Sequence, residues 1–182
     1  MKKILAILLF FIITLASSAP SFAYSEHTAS AKLSMNFAQG SSDYKVDVLR
    51  DYLVQFNSPL ANSASTFVSA ADRYQLDWRL VAAISGVEST FGQAIPASSY
   101  NGWGWGVYGD NVIRFSSWDE AIETISKGIR ERYLGDIVES DPYIIGPTYA
   151  ASPTWAQRVA YFMAQIQNFE IASAKDLLSI SL

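Results

Sequence analysis

Cysteine is absent from the 182-residue chain, and histidine occurs once, as His27. The first absence excludes disulfides, thiolate zinc sites, iron–sulfur clusters, a cysteine nucleophile and a lipid-modified N-terminal cysteine. The second argues against a Ser-His-Asp triad or a multi-histidine metal centre, because His27 lies alone in a polar stretch. No metal and no cofactor is implied. Charge is scarce too, at 16% of residues against a usual share of about 25%. There are 13 basic and 17 acidic residues and no basic run, for a net charge of −4. Phosphate contacts need clustered Lys and Arg, so nucleic acid is not an expected partner. Chemistry must then come from carboxylates, hydroxyls, amides or tyrosines.

Apolar residues are abundant, at 50% of the chain with 14% aromatic. Part of this excess is local. Residues 1–23 read as a signal peptide: Lys2 and Lys3 form a positive start, Ile4 to Leu15 an apolar run, and Ser21-Phe22-Ala23 a small-residue cleavage site. An uncleaved anchor is the alternative, but the run is short for a span of about 20 residues. The expectation is an exported protein, extracellular, cell-wall associated or periplasmic, with no stable membrane span after cleavage. Cleavage would leave 159 of the 182 residues and a net charge of −6, enough chain for one well-buried domain.

Residues 24–42 are rich in Ser, Ala, Gln and Gly without periodicity and predict a flexible leader. Residues 43–182 predict a single, mainly α domain. Leu49, Tyr52, Leu53 and Phe56 form one helical stripe that ends at Asn57-Ser58-Pro59. A second helix runs from about Leu60 to Tyr74, with Leu60, Ala64, Phe67, Val68 and Ala71 inward. Asp77 caps a third, Trp78 to Phe91, that buries Leu80, Val81, Ile84 and Val87. Ser117-Trp118-Asp119-Glu120 has the capping-box form and opens a helix to about Leu134. Ser152-Pro153 starts the last long helix, to about Phe169, with Val159, Phe162, Met163 and Ile166 inward. Val112 to Phe115 is at most a very small β element, Asp136 to Ala151 reads as irregular, and the tail from Ser173 as one more short helix.

Two features stand out. Glu88 shares a helical face with Val81 and Ile84, in the last turn before a Gly- and Trp-rich loop. Partial loss of water there disfavours the charged carboxylate, and the helix C-terminus pushes the same way. A carboxyl held protonated at a cleft suits general-acid catalysis. The bland reading is a buried ion pair with Arg79 or Arg114. The second feature is Gly92 to Asn111, aperiodic, with five glycines. Tyr100, Trp103, Trp105 and Tyr108 alternate there with glycines. Flat amphipathic rings suit the faces of sugars; the alternative is that they plug the core.

Glu88-Ser89-Thr90-Phe91-Gly92 resembles the lysozyme-like superfamily of peptidoglycan-cleaving enzymes, and its Glu-Ser-x-Phe string is similar to that of lytic transglycosylases. The order of Glu88-Ser89, Asn101-Gly102-Trp103-Gly104, Ser117-Trp118-Asp119-Glu120 and Tyr149-Ala150-Ala151-Ser152-Pro153-Thr154-Trp155-Ala156 resembles another branch more, the bacterial endo-β-N-acetylglucosaminidase domain of autolysins and flagellar muramidases. Trp103 stands where that family has Phe, and the Gly-Leu-Met-Gln segment of lytic transglycosylases is missing. The resemblance implies a lysozyme-like helical domain with a Gly/Trp-rich cleft loop. It implies a glycosidase acting on β-1,4 linkages of peptidoglycan glycan strands, with Glu88 as general acid and Tyr149 across the cleft. Ser89, Tyr100, Asn101, Trp103, Trp105 and Tyr108 are the expected substrate-binding residues. The motifs fix no second carboxylate: Asp110 and Asp119 lie near or in the cleft-forming segments, but read equally as loop or cap residues. The route needs none if the substrate's N-acetyl group is the nucleophile, or if a sugar hydroxyl closes an anhydro ring. A catalytically silent module that binds cell-wall glycan or a protein is the competing expectation. For Tyr149 the alternative is a packed loop ring with a solvated hydroxyl.

Overall fold

In the computed structural model, backbone is described for residues 23–106 and 111–180, and side chains for 39–106 and 111–175. The chain divides into two units, Met1–Asn36 and Phe37–Leu182. The signal-peptide expectation lies outside the described residues, apart from Ala23. In the first unit the description covers only the opening part of α1.

Helix α1 spans Ala23–Gln55. The expected flexible leader, 24–42, is therefore helical instead. No proline occurs between Pro20 and Pro59, and Ala29, Ala31, Lys32, Leu33, Met35 and Ala38 are good helix formers. A helix anchored further along the chain propagates backwards through such a stretch. Leu49, Tyr52 and Leu53 are buried as expected, and Phe56 packs partly buried against them. The helix stops where Asn57 turns left-handed at φ 52°, and Ser58 N–H bonds Leu53 O at 3.1 Å.

A 3₁₀ turn, Ala61–Ser63, leads into α2, Ala64–Tyr74. Helix α3, Leu80–Ser89, is buried over all of Leu80 to Gly86. Such all-round burial marks a central helix. At Gly86 an added Cβ would lie 2.7 Å from the Phe91 ring and 3.1 Å from Phe162, so only glycine admits both rings there. Helix α4, Trp118–Gly128, starts at Ser117, whose hydroxyl accepts from Glu120 N–H as expected. The reciprocal bond goes one residue further out: Glu120 accepts from the N–H and hydroxyl of Ser116. The helix then loosens into a π turn, Ile129–Leu134. Helix α5 is Pro142–Tyr149 and α6 is Trp155–Ile180.

Three further expectations change. The tail from Ser173 continues α6 rather than forming a separate helix. Val112 to Phe115 is not a strand; among the described residues the chain has only an isolated bridge at Asn111. The stretch expected as irregular contains α5, because Asp141 caps it and Pro142 sits at its first position, where a proline costs no hydrogen bond. The mainly α class holds. Among the described residues, no helix is long and apolar enough to cross a membrane.

Candidate functional site

Helix α3 ends in a tight reversal. Thr90, Phe91 and Gly92 are successively left-handed, at φ 52°, 56° and 82°. This conformation is uncommon for a β-branched or aromatic residue and is held by surrounding bonds. Phe91 N–H reaches back to Ser85 O at 3.0 Å, and Ser58 Oγ donates to Phe91 O at 2.8 Å. The Ser89 hydroxyl accepts from Gly92 N–H at 2.9 Å and donates to Gly102 O at 2.7 Å. Ser89 is thus a buried brace between the helix end and the loop, not a group open to substrate.

Glu88 lies one residue before this brace. It is exposed as a residue rather than mostly buried, which corrects the expectation of a largely sequestered carboxylate. Its carboxylate end is nevertheless crowded. Burial is the largest influence and raises its pKa, against the lowering effects of a Trp155 hydrogen bond and the Arg158 charge. Trp155 Nε1–H donates to Glu88 Oε1 at 2.6 Å. Arg79 and Arg114, the alternative partners for it, are engaged elsewhere. Arg79 bonds both oxygens of Asp77 and also Gln167, and Arg114 donates to Ala97 O at 2.5 Å. Burial works against the Asp77 charge, but the bonds from Arg79 outweigh it and lower the Asp77 pKa.

Asn101 shapes the loop that follows. Its amide donates to Trp105 O at 2.8 Å and to Ile113 O at 3.0 Å, and its oxygen accepts from Trp105 N–H at 3.0 Å. Like Ser89 it is buried and saturated by backbone, so it too braces rather than binds. Gly104 and Gly106 take φ 62° and 60°, turns that glycine adopts without strain. Trp103 points inward. It is 1% exposed, and its Nε1–H donates to Val81 O at 2.8 Å. Expected as a sugar platform, it is a core residue. Tyr100 is exposed and stands edge-on to Trp118, with centroids 5.4 Å apart. Tyr108 and Asp110 lie outside the described residues. Asp119 is bonded to Thr66 at 2.7 Å, joining α4 to α2, and does not accompany Glu88.

Trp105 has a different place. It is 8% exposed and packs so closely on Gly128 of α4 that no Cβ fits between them. With Gly104, Gly106, Ile113, Arg132, Tyr133 and Tyr149 it lines a cavity of about 350 Å³. Tyr149, at the end of α5, stacks on Trp155 with centroids 4.7 Å apart and planes 26° apart. Its hydroxyl donates to Trp103 O at 3.0 Å. Burial, then the Glu88 charge and Tyr133, hold its pKa well above the ordinary value, so it stays protonated. Glu88 is not itself among the cavity-lining residues. Gly104 connects the two: a Cβ built on it would lie 3.7 Å from Glu88 Oε2.

The geometry has a chemical consequence. An indole N–H can only donate. Oε1 accepts in either protonation state, and because the carbonyl oxygen of a carboxyl is the better acceptor, the bond favours placing the hydrogen of a protonated Glu88 on Oε2, beside Gly104. Trp155 itself was visible only as part of a motif. Arg132 and Tyr133 carried no signal, because the π turn shifts the register that a regular helix would impose. Among the described residues, no group of three or more His, Asp or Glu is placed to hold a metal ion. Neither a scan against protein-family models nor a search of curated proteins finds a match to this chain.

Proposed function

We propose that this chain is an exported glycosidase that cleaves β-1,4 linkages in the glycan strands of peptidoglycan, with Glu88 as its general acid. The observation that carries this reading is the state of Glu88. It is an exposed carboxylate with a raised pKa, bonded by an indole N–H on one oxygen and paired with no arginine. An aromatic-walled cavity opens beside it across Gly104.

Protonated Oε2 gives its hydrogen to the glycosidic oxygen. The bond from the anomeric carbon to that oxygen breaks, and the electron pair leaves with the oxygen. Among the described residues the cavity lining contains no carboxylate, which favours a route with one carboxylate. Either the substrate's 2-acetamido oxygen bonds the anomeric carbon and water then displaces it, or the sugar's own 6-hydroxyl closes on that carbon. In both routes the Glu88 carboxylate takes up the proton of the attacking hydroxyl or water and is regenerated. Glucosaminidase chemistry follows the first route and lytic transglycosylase chemistry the second.

A catalytically silent glycan-binding module is the second reading. It is favoured by the absence of Glu88 from the cavity lining itself. Mass spectrometry of the material released from purified sacculi separates these readings. Reducing GlcNAc ends, reducing MurNAc ends and anhydro-MurNAc ends each name one cleavage. Tight binding of sacculi without release of any fragment would establish the silent module.

A further inference from the structure

Two arginines lie two positions apart in the π turn after α4, with opposite fates. Arg130 is spent on the fold: its guanidinium donates to the carbonyls of Tyr74, Gln75, Gly135 and Ile137. Arg132 is exposed and has neither a hydrogen bond nor an ion pair among the described residues; every other arginine has an accepting partner. Among the described residues its contact is aromatic, with Cζ standing 5.5 Å from the centroid of the Trp105 ring. The same residue lines the cavity beside Glu88, with Gly104, Tyr133 and Tyr149.

A free guanidinium laid on an indole face is oriented by that face while its donor fork stays available. Arginine forks match carboxylates in two parallel bonds. The rest of the described lining is glycine, isoleucine and aromatic rings, so Arg132 is the sole charge among the described lining residues. A π turn in an otherwise regular helix is a frequent accompaniment of functional sites. Here it brings Arg132 and Tyr133 to the same cavity.

We propose that Arg132 is a specificity-determining residue: with Trp105 it forms a subsite for a carboxylate carried by the glycan strand, so the cavity takes acidic rather than neutral amino-sugar polymers. The inference rests on the reading of this cavity as a glycan site. The carboxylate has two possible sources. One is the lactyl group of a muramic acid stripped of peptide; the other is the stem peptide, where the lactyl group is tied up in an amide.

The test is equilibrium binding to the full chain, followed by tryptophan fluorescence in a Glu88→Gln background so that nothing is cleaved. Three size-matched probes are compared: peptide-free glycan strands, peptide-bearing strands and neutral chito-oligosaccharide. At least one acidic probe should bind about tenfold tighter than the neutral one, the scale of a hydrogen-bonded charge. That preference should weaken with salt, disappear in Arg132→Gln and partly return in Arg132→Lys. Preference for peptide-free strands assigns the lactyl carboxylate; preference for peptide-bearing strands assigns the stem peptide. Equal binding of all three probes, or a preference that survives Arg132→Gln with an unchanged circular dichroism spectrum, overturns it. Binding is read without turnover. An Arg132-dependent preference therefore stands even if Glu88 proves catalytically idle, and its loss leaves the glycosidase reading untouched.

Discussion

Trp155 and Glu88, 67 positions apart in the chain, are joined by an indole-to-carboxylate hydrogen bond of 2.6 Å. The same indole stacks on Tyr149, whose hydroxyl holds the Trp103 carbonyl. One side chain of α6 thus links the end of α3, the end of α5 and the aromatic loop. It also biases which oxygen of Glu88 carries a proton.

Replacing that donor gives the first prediction. The bond favours the charged form of Glu88, so Trp155→Phe should raise the Glu88 pKa further. A general acid works only while protonated, and activity falls as pH rises through its pKa. The alkaline limb of the pH–rate profile should therefore move to higher pH in the variant. Stability should fall on the order of 1 kcal/mol for the lost bond. A limb that stays in place, or moves to lower pH, would detach Trp155 from the acid.

Tyr149→Phe removes a buried donor and leaves the Trp103 carbonyl without it. The ring and its stack on Trp155 remain. We expect a loss of roughly 1 kcal/mol in thermal melts and a fall in turnover milder than that of Glu88→Gln, because the hydroxyl positions the loop rather than moving a proton. Turnover as low as that of Glu88→Gln would give Tyr149 a direct part in the chemistry.

Trp103 should behave as a core residue. Trp103→Ala is expected to cost about 3–5 kcal/mol, the usual scale for a buried aromatic, and chemical denaturation would measure it. A soluble variant of near-native stability that had lost glycan binding would return Trp103 to the cleft surface.

The raised pKa of Glu88 also has a consequence for stability. Between its ordinary and its raised pKa the folded protein holds more protons than the unfolded chain, so this group lowers stability as pH rises through that window. Glu88→Gln removes the effect. The variant should melt slightly above the wild type at pH 7, and the gap should close below the ordinary carboxylate range near about pH 4. A variant whose relative stability instead dropped at pH 7 would mean that Glu88 has a depressed pKa.

Much of the fold was legible because its helices, apart from the all-round buried α3, bury single faces. Leu49 and Leu53, Phe67, Val68 and Ala71, and Ile84 occupy the positions that their spacing dictates, and Ser117 announces α4 by its cap. Helix α5 was hidden by composition: Pro142, Gly146 and Pro147 read as breakers, although Asp141-Pro142 is a start signal. Glu88 could be found because a carboxylate interrupts an apolar period just before a loop. The roles of its neighbours could not. Whether Ser89, Asn101 and Trp103 face a cleft or brace the backbone depends on which carbonyls lie opposite them. That Arg132 meets Trp105 depends on a π turn, and that Trp155 meets Glu88 depends on how α6 packs on α3. Such pairings are tertiary facts with no local period.

The central claim is that Glu88 supplies the proton that breaks a glycosidic bond, and wall lysis by the Glu88→Gln variant tests it most directly. Wild-type and variant chains, matched by thermal melt, are incubated with purified sacculi, and the new saccharide ends are counted by mass spectrometry. The account predicts steady release by the wild type and a rate lower by a factor on the order of 10² or more in the variant, the scale of losing a general acid. Equal release by both chains, or none by the wild type, would contradict it.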